Sequence, residues 1–260
     1  MHLTHLRLRS FRNYNRLDAE FGPGFHLLLG RNAQGKTNLL EAIYFVSTAK
    51  SHRTHSDREL IHYDSDWFYL KARIGTLSAN LSLEDKVQFP VSDWERQVVR
   101  ECLPAGNELI VEASHEAEGQ KRFKLNGDLL PKLSEWVGQF RVVFFSPESL
   151  ILVKGSPGDR RRFLDQLICQ INPLYLSQLQ RYQSSLRQRN ELLKQIRNHR
   201  QSVDLLEPWD ELLVEDGVLI TKARTQVLDL LHQLAKIHHA QLTQSTEVLN
   251  LRYCPSLQKV

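Results

Sequence analysis

The chain has 260 residues, 41% hydrophobic and 25% charged, an ordinary globular composition with room for one large domain or two smaller ones. Its net charge of +4 is unevenly spread: Ser156 to Val203 holds nine Lys/Arg against Asp159, Asp165 and Glu191, an excess of +6 that leaves −2 for the remainder. No apolar run approaches the roughly 18 residues of a membrane helix. The polar–apolar alternation of the N-terminus is not a signal peptide, and Cys102, Cys169 and Cys254 are too scattered for a disulfide framework or a zinc site. A cytoplasmic, reducing setting without a membrane is expected.

Leu3 to Phe11 alternates with period two and predicts a strand, Arg12 to Tyr14 a turn, and Leu17 to Phe21 a second strand. Gly22-Pro-Gly24 turns into Phe25 to Leu29, an apolar run of buried-strand type. Next comes Gly30, Arg31, Asn32, Ala33, Gln34, Gly35, Lys36, Thr37, which satisfies G-x-x-x-x-G-K-[ST]. Leu39, Leu40, Ile43 and Val46 then recur at helical spacing, so the order is strand, loop, helix, as a phosphate-binding loop requires.

The chemistry explains the spacing. Glycines let consecutive N–H groups turn inward to phosphate oxygens, and the positive end of the following helix faces the same way. Lys36 is the expected catalytic residue, reaching the β- and γ-phosphates, and the Thr37 hydroxyl is the expected Mg²⁺ ligand. Gly30 through Asn38 are therefore the expected nucleotide site, and ATP with Mg²⁺ the expected ligands.

Ser51-His-Arg-Thr54 is a polar turn in which Arg53 either reaches a nucleotide phosphate or is an idle surface arginine. Phe68 to Ile74, Leu77 to Leu83, Gln97 to Leu103, Leu109 to Ala113 and Arg122 to Leu125 predict an antiparallel layer, with Asn126-Gly127 as a hairpin turn. Phe140 to Phe145 is a second run of buried-strand type. Pro157 to Ile171 then reads as a helix, with Phe163, Leu164, Leu167 and Ile171 on one face.

A longer helix restarts at Pro173, carrying Tyr175, Leu179, Tyr182, Leu186, Leu193 and Ile196, with Arg189 in the missing heptad position. Leu213, Ile220, Ala223, Val227, Leu230, Leu234 and Ile237 repeat the pattern, so an antiparallel hairpin joined near Asn198 to Pro208 is expected. Val248 to Tyr253 reads as a returning strand. The acidic Mg²⁺ strand of a phosphate-loop ATPase has two imitations. Leu212 to Asp216 lies inside the helical pattern, and Leu81 to Asp85 alternates like a half-exposed strand, so neither is taken for it.

Read together, the phosphate loop, Ser51-His-Arg-Thr54, Phe144-Phe-Ser-Pro-Glu148 and Lys154-Gly-Ser-Pro157 resemble the RecF family of bacterial recombination mediators. Arg160-Arg-Arg-Phe-Leu-Asp165, Tyr182 with Gln188 to Lys194, and the opening Leu6 to Tyr14, which is similar to L-x-L-x-x-F-R-N-Y, extend the resemblance along the chain. It implies an α/β fold: an ABC/SMC-type ATPase head, with a mixed sheet around the phosphate-loop helix and an antiparallel β layer, into which a helical lobe is inserted. The boundaries expected are 1–156 for the head, 157–245 for the lobe and 246–260 for an incomplete return. Relatives carry their signature motif and Asp-Glu strand beyond this point, so the chain is expected to be an N-terminal portion.

The resemblance further implies Arg12 and Asn13 near the nucleotide, an ATP-dependent homodimer, partners of RecR and RecO type, and DNA repair, replication and SOS roles on gapped or duplex DNA. Arg160, Arg161 and Arg162 are the candidate DNA contacts, an internal salt-bridge role being the alternative. Members are weak DNA-stimulated ATPases; a non-hydrolysing ATP-binding DNA scaffold is the second reading. A small-molecule kinase is the third, against which the β-rich region and the heptad hairpin argue.

Overall fold

The alternating N-terminus forms β1 (His2–Phe11), which turns back as β2 (Tyr14–Glu20) with Phe11 opposite Tyr14, leaving Arg12 and Asn13 as the whole turn. Arg12 takes a left-handed φ of 53° there. The computed structural model describes residues 1–54, 56–75, 108–198 and 201–255, in two units, Met1–Phe145 and Ser146–Val260. The expected strands at Leu77 to Leu83 and Gln97 to Leu103, the Leu81 to Asp85 stretch and Cys102 lie outside the described residues.

In the first unit, β3 (Trp67–Gly75), β4 (Glu108–Glu116), β5 (Arg122–Leu125) and β6 (Asp128–Leu129) complete a sheet of order β2-β1-β3-β4-β5-β6, antiparallel at every pairing. Asn126 and Gly127 have φ of 51° and 96°, and Leu125 pairs with Asp128, the two-residue turn with both central φ positive that the Asn-Gly pair favours. One face of the sheet is apolar and buried: Leu6 and Leu8, then Phe68, Leu70, Ala72 and Ile74, then Leu109, Val111 and Ala113.

Helix α1 (Lys36–Thr48) packs against β3 through Phe45, whose ring meets Phe68 edge-on at 5.6 Å, while Phe11 meets Phe68 from the other strand at 5.5 Å. Each such side chain contributes about 1.5–3 kcal/mol on burial. Lys121 donates to the Ala49 carbonyl at 3.1 Å and pairs with Asp57 at 2.5 Å, placing a cation at the C-terminal end of α1.

Three expectations are corrected. Leu39 and Val46 of α1 are buried as expected, but Leu40 is exposed and Ile43 half-buried, and Glu41, Ala42, Tyr44, Phe45, Ser47 and Thr48 join the buried face instead. The helix is turned so that a carboxylate faces inward, for a reason given below. Phe25 to Leu29 and Phe140 to Phe145 form no strand, so the sheet is antiparallel throughout rather than mixed. A strand needs a ladder, and among the described residues none runs beside either segment; Phe25, Leu29, Val143 and Phe145 are 80% or more exposed. Val248 to Tyr253 is also irregular.

The second unit is helical: a single turn α2 (Ile151–Lys154), then α3 (Pro157–Ile171), α4 (Pro173–Arg197) and α5 (Glu207–Leu242). Lys154-Gly-Ser-Pro157 is a stop and a start. A Cβ on Gly155 would lie 2.4 Å from the Ile151 carbonyl oxygen, Ser156 and Asp159 form a reciprocal capping box, and Pro157 opens α3. Asn172 caps α4 by accepting from the Leu174 and Tyr175 N–H groups at 3.1 and 3.2 Å, again just before a proline.

Helices α4 and α5 pack against each other as the expected hairpin. Arg189, the break in the heptads, pairs with Asp210 of α5. Asp216 is fully buried in α5 and grips Arg181 of α4 with both oxygens, so the acidic end of Leu212 to Asp216 has a partner within the hairpin. Leu234 and Ile237 are 37% and 44% exposed. Arg224 of α5 already contacts Tyr175, in the first turn of α4, so the residues beyond it overrun α4. At that point Asp165 of α3 accepts two Arg224 bonds of 2.8 Å and the Tyr175 hydroxyl at 2.5 Å, joining three helices on one carboxylate.

Asp165→Ala strands Arg224 in a half-buried setting and is expected to cost about 3 kcal/mol or more, whereas Tyr175→Phe costs about 1 kcal/mol. Thermal melts of the two variants against the parent chain read the difference; equal small losses would remove Asp165 from this role.

Candidate nucleotide-binding site

The loop from Gly30 to Gly35 is shaped by left-handed residues: Gly30 at φ 151°, Ala33 at 63° and Gly35 at 93°. Gly35 is needed twice over, since a Cβ there would meet both side-chain atoms of the Asn13 amide at 2.7 Å and the Tyr14 ring at 2.9 Å. The Tyr14 hydroxyl donates to the Gly35 carbonyl at 3.0 Å. The β1–β2 turn thus presses directly on the end of the loop, which places Asn13 beside it.

Lys36 opens α1 and folds across the loop, donating to the Gly30 and Arg31 carbonyls at 2.7 Å each. Arg31, Asn32, Ala33 and Gln34 form the exposed rim, and Thr37 stands exposed in the first turn of α1. The Asn38 side-chain amide donates to the Asn13 side-chain amide oxygen at 2.8 Å and accepts from Arg53 at 2.9 Å.

Behind the loop lies the feature that sequence reasoning missed. Glu41 is fully buried and accepts a fork of bonds from Arg12, Nε at 2.9 Å and Nη2 at 2.7 Å, plus the Ser51 hydroxyl at 2.5 Å. Arg53 stands 3.6 Å away, half-exposed. Burial by itself would raise the Glu41 pKa. The bonds from Arg12 and Ser51, with the charges of Arg12 and Arg53, outweigh it and hold the carboxyl below the usual glutamate range. The available signal was an acid flanked on both sides by apolar residues in Leu39-Leu-Glu-Ala-Ile43.

Arg12 also donates to the Glu59 carbonyl at 2.7 Å, so its guanidinium is committed to the protein behind the loop. Arg160, Arg161 and Arg162 are exposed near the start of α3 in the second unit; Arg160 donates to the Gly155 carbonyl at 3.0 Å and Arg162 stands 3.7 Å from Asp159. Among the described residues there is no cluster of three or more His, Cys, Asp or Glu side chains able to hold a metal ion. None of the described helices is long and apolar enough to cross a membrane.

Residues 2–150 match the family model described as the RecF/RecN/SMC N-terminal domain. The chain belongs to that family. Within it the resemblance is to RecF. The chain is 38% identical over 258 residues to the DNA replication and repair protein RecF of Bacillus mycoides, covering 99% of this chain and 61% of that protein. It is 39% identical over 253 residues to the RecF of an Exiguobacterium species, covering 97% and 60%. A solved structure described as the recombination mediator protein RecF-ATP in the RecFOR pathway superposes with a TM-score of 0.78 at 32% identity, covering 93% of this chain and 58% of that one. The chain thus spans about 60% of the length of the curated relatives it matches.

Glu41→Gln leaves Arg12 without its counter-charge and is expected to cost about 3 kcal/mol near neutral pH. The folded-state pKa is depressed, so the stabilisation is fully present above the unfolded value near 4.3 and is lost as pH falls through the folded one. Denaturant midpoints of the parent chain and the variant should therefore converge as pH drops below about 4; a constant gap would show that the carboxylate charge is not what matters.

Proposed function

We propose that this chain binds ATP with Mg²⁺ at Gly30–Asn38 and uses the nucleotide to control its self-association on DNA in replication, recombinational repair and SOS induction. The observation that carries the reading is the loop itself. Its left-handed backbone, its closure by Lys36 and its anchorage on Asn13 and Tyr14 give a cradle of backbone N–H groups at the head of α1. The residues fit the group: Gly35 permits the close approach, Lys36 supplies a cation at the mouth, and Thr37 offers an exposed hydroxyl beside it.

In that role Lys36 exchanges its two carbonyl partners for phosphate oxygens, and Thr37 holds the Mg²⁺, which neutralises phosphate charge when bound. The α1 N-terminus adds its dipole. ATP favours the associated form because it binds that form better, which is all a ligand needs to shift an equilibrium. The first unit serves as the nucleotide head and the second as a helical lobe, with Arg160, Arg161 and Arg162 offered to DNA phosphates and partners of the RecR and RecO type completing the pathway. The RecF-ATP structure and the RecF names of the relatives support this reading.

Titration with a fluorescent ATP analogue and Mg²⁺ is expected to show saturable binding that Lys36→Ala weakens at least about tenfold, the loss of a charge-assisted contact. DNA affinity should fall steeply between low and moderate salt, with a slope that Arg160→Ala and Arg162→Ala reduce by about one each if each meets a phosphate. An association on DNA that survives Lys36→Ala unchanged would favour a non-hydrolysing scaffold over a nucleotide switch.

A further inference from the structure

Among the described residues the hydrogen bonds and ion pairs of Glu41 go to Arg12, Ser51 and Arg53 rather than to the loop, yet it fixes the segment that follows α1. Its Oε1 accepts the Ser51 hydroxyl, and the Ser51 oxygen in turn accepts the backbone N–H groups of Arg53 at 2.9 Å and Thr54 at 3.1 Å. That single side chain therefore sets the shape of the 51–54 turn from a buried carboxylate. The turn delivers Arg53 to Asn38, the residue directly after Thr37, where its Nη1 donates to the amide oxygen at 2.9 Å.

The two arginines around Glu41 differ in kind. Arg12 is 16% exposed, forked onto the carboxylate and tied to Glu59 as well. Arg53 is 46% exposed, stands off at 3.6 Å and has a neutral amide as its near partner. A cation held by one amide and a distant carboxylate at the edge of an anion cradle is free to trade both for a phosphate oxygen. The forked arginine is not, because its departure would leave a buried carboxylate bare.

We infer that Ser51 and Glu41 are positioning residues that poise Arg53 at the loop mouth, so that discrimination of a nucleoside triphosphate from a diphosphate depends on a carboxylate and a hydroxyl that never contact the nucleotide. The inference rests on the nucleotide-binding reading above and assigns that site its preference. Arg53 reads the added terminal phosphate; Ser51 and Glu41 determine where Arg53 waits. Asn38 links the event to the β1–β2 turn, since it bonds Asn13 and Arg53 through the two ends of one amide.

The test uses ATP and ADP titrations of the whole chain and three variants. Ser51→Ala leaves the Arg12–Glu41 fork intact and should fold. It is expected to lower the ratio of ATP to ADP affinity by about tenfold, the worth of one charge-assisted hydrogen bond, with ADP binding little changed. Arg53→Ala should do the same, and the Ser51→Ala, Arg53→Ala double variant should be no worse than Arg53→Ala alone, because one residue acts through the other. An unchanged ratio in Ser51→Ala, an equal loss for both nucleotides, or additive losses in the double variant would overturn the inference while leaving the site in place. No nucleotide binding by the parent chain would overturn the functional reading, and this inference with it.

Discussion

The first unit depends on a charge that has been taken out of water. A buried, ionised carboxylate is tolerable only when its lone pairs are filled, and Glu41 has them filled by a guanidinium and a hydroxyl from different stretches of chain. This obligation turns α1 so that an acid faces inward, and it holds the β1–β2 turn against the helix through Arg12. It also pins the turn after α1 through Ser51. The exposed loop from Gly30 to Gly35 ends on α1, which Glu41 anchors, and packs at Gly35 against the β1–β2 turn that Arg12 ties to the same carboxylate.

The second unit repeats the arrangement with other residues. Asp165 gathers Arg224 and the Tyr175 hydroxyl, burial and that hydrogen bond to Asp165 push the Tyr175 pKa up, and Asp216 holds Arg181 across the hairpin. In a hairpin whose seam is only partly apolar, with Leu186 and Leu193 each 37% exposed, such pairs specify register more sharply than grease does.

Much of this was legible in the chain because it follows from local rules. Alternation marked β1 and β3, Asn126-Gly127 marked its hairpin, Pro157 and Pro173 marked helix starts to the residue, and the glycine-lysine-threonine spacing marked the loop. What escaped reading depends on contacts distant in sequence. Nothing around Leu39 to Ile43 announces that Arg12, some thirty residues earlier, makes an inward acid affordable. Apolar runs such as Phe25 to Leu29 carry strand propensity, but a strand is a property of two segments, and propensity cannot supply the second. The heptad pattern of α5 continues to Ile237 past the start of α4, because periodicity does not reveal where the neighbouring helix stops.

Phe25, Leu27, Leu29, Val143 and Phe145, all exposed and with no ladder beside them among the described residues, have a practical meaning for any solution study of these 260 residues. Exposed apolar side chains grouped in this way invite contact with another chain. Oligomers formed through it would assemble without nucleotide, grow with concentration and without limit, and strengthen in sulfate or on warming, since hydrophobic burial drives them. Association that saturates at a dimer and weakens with nucleotide removal has a different origin, and the two are separable by stoichiometry alone.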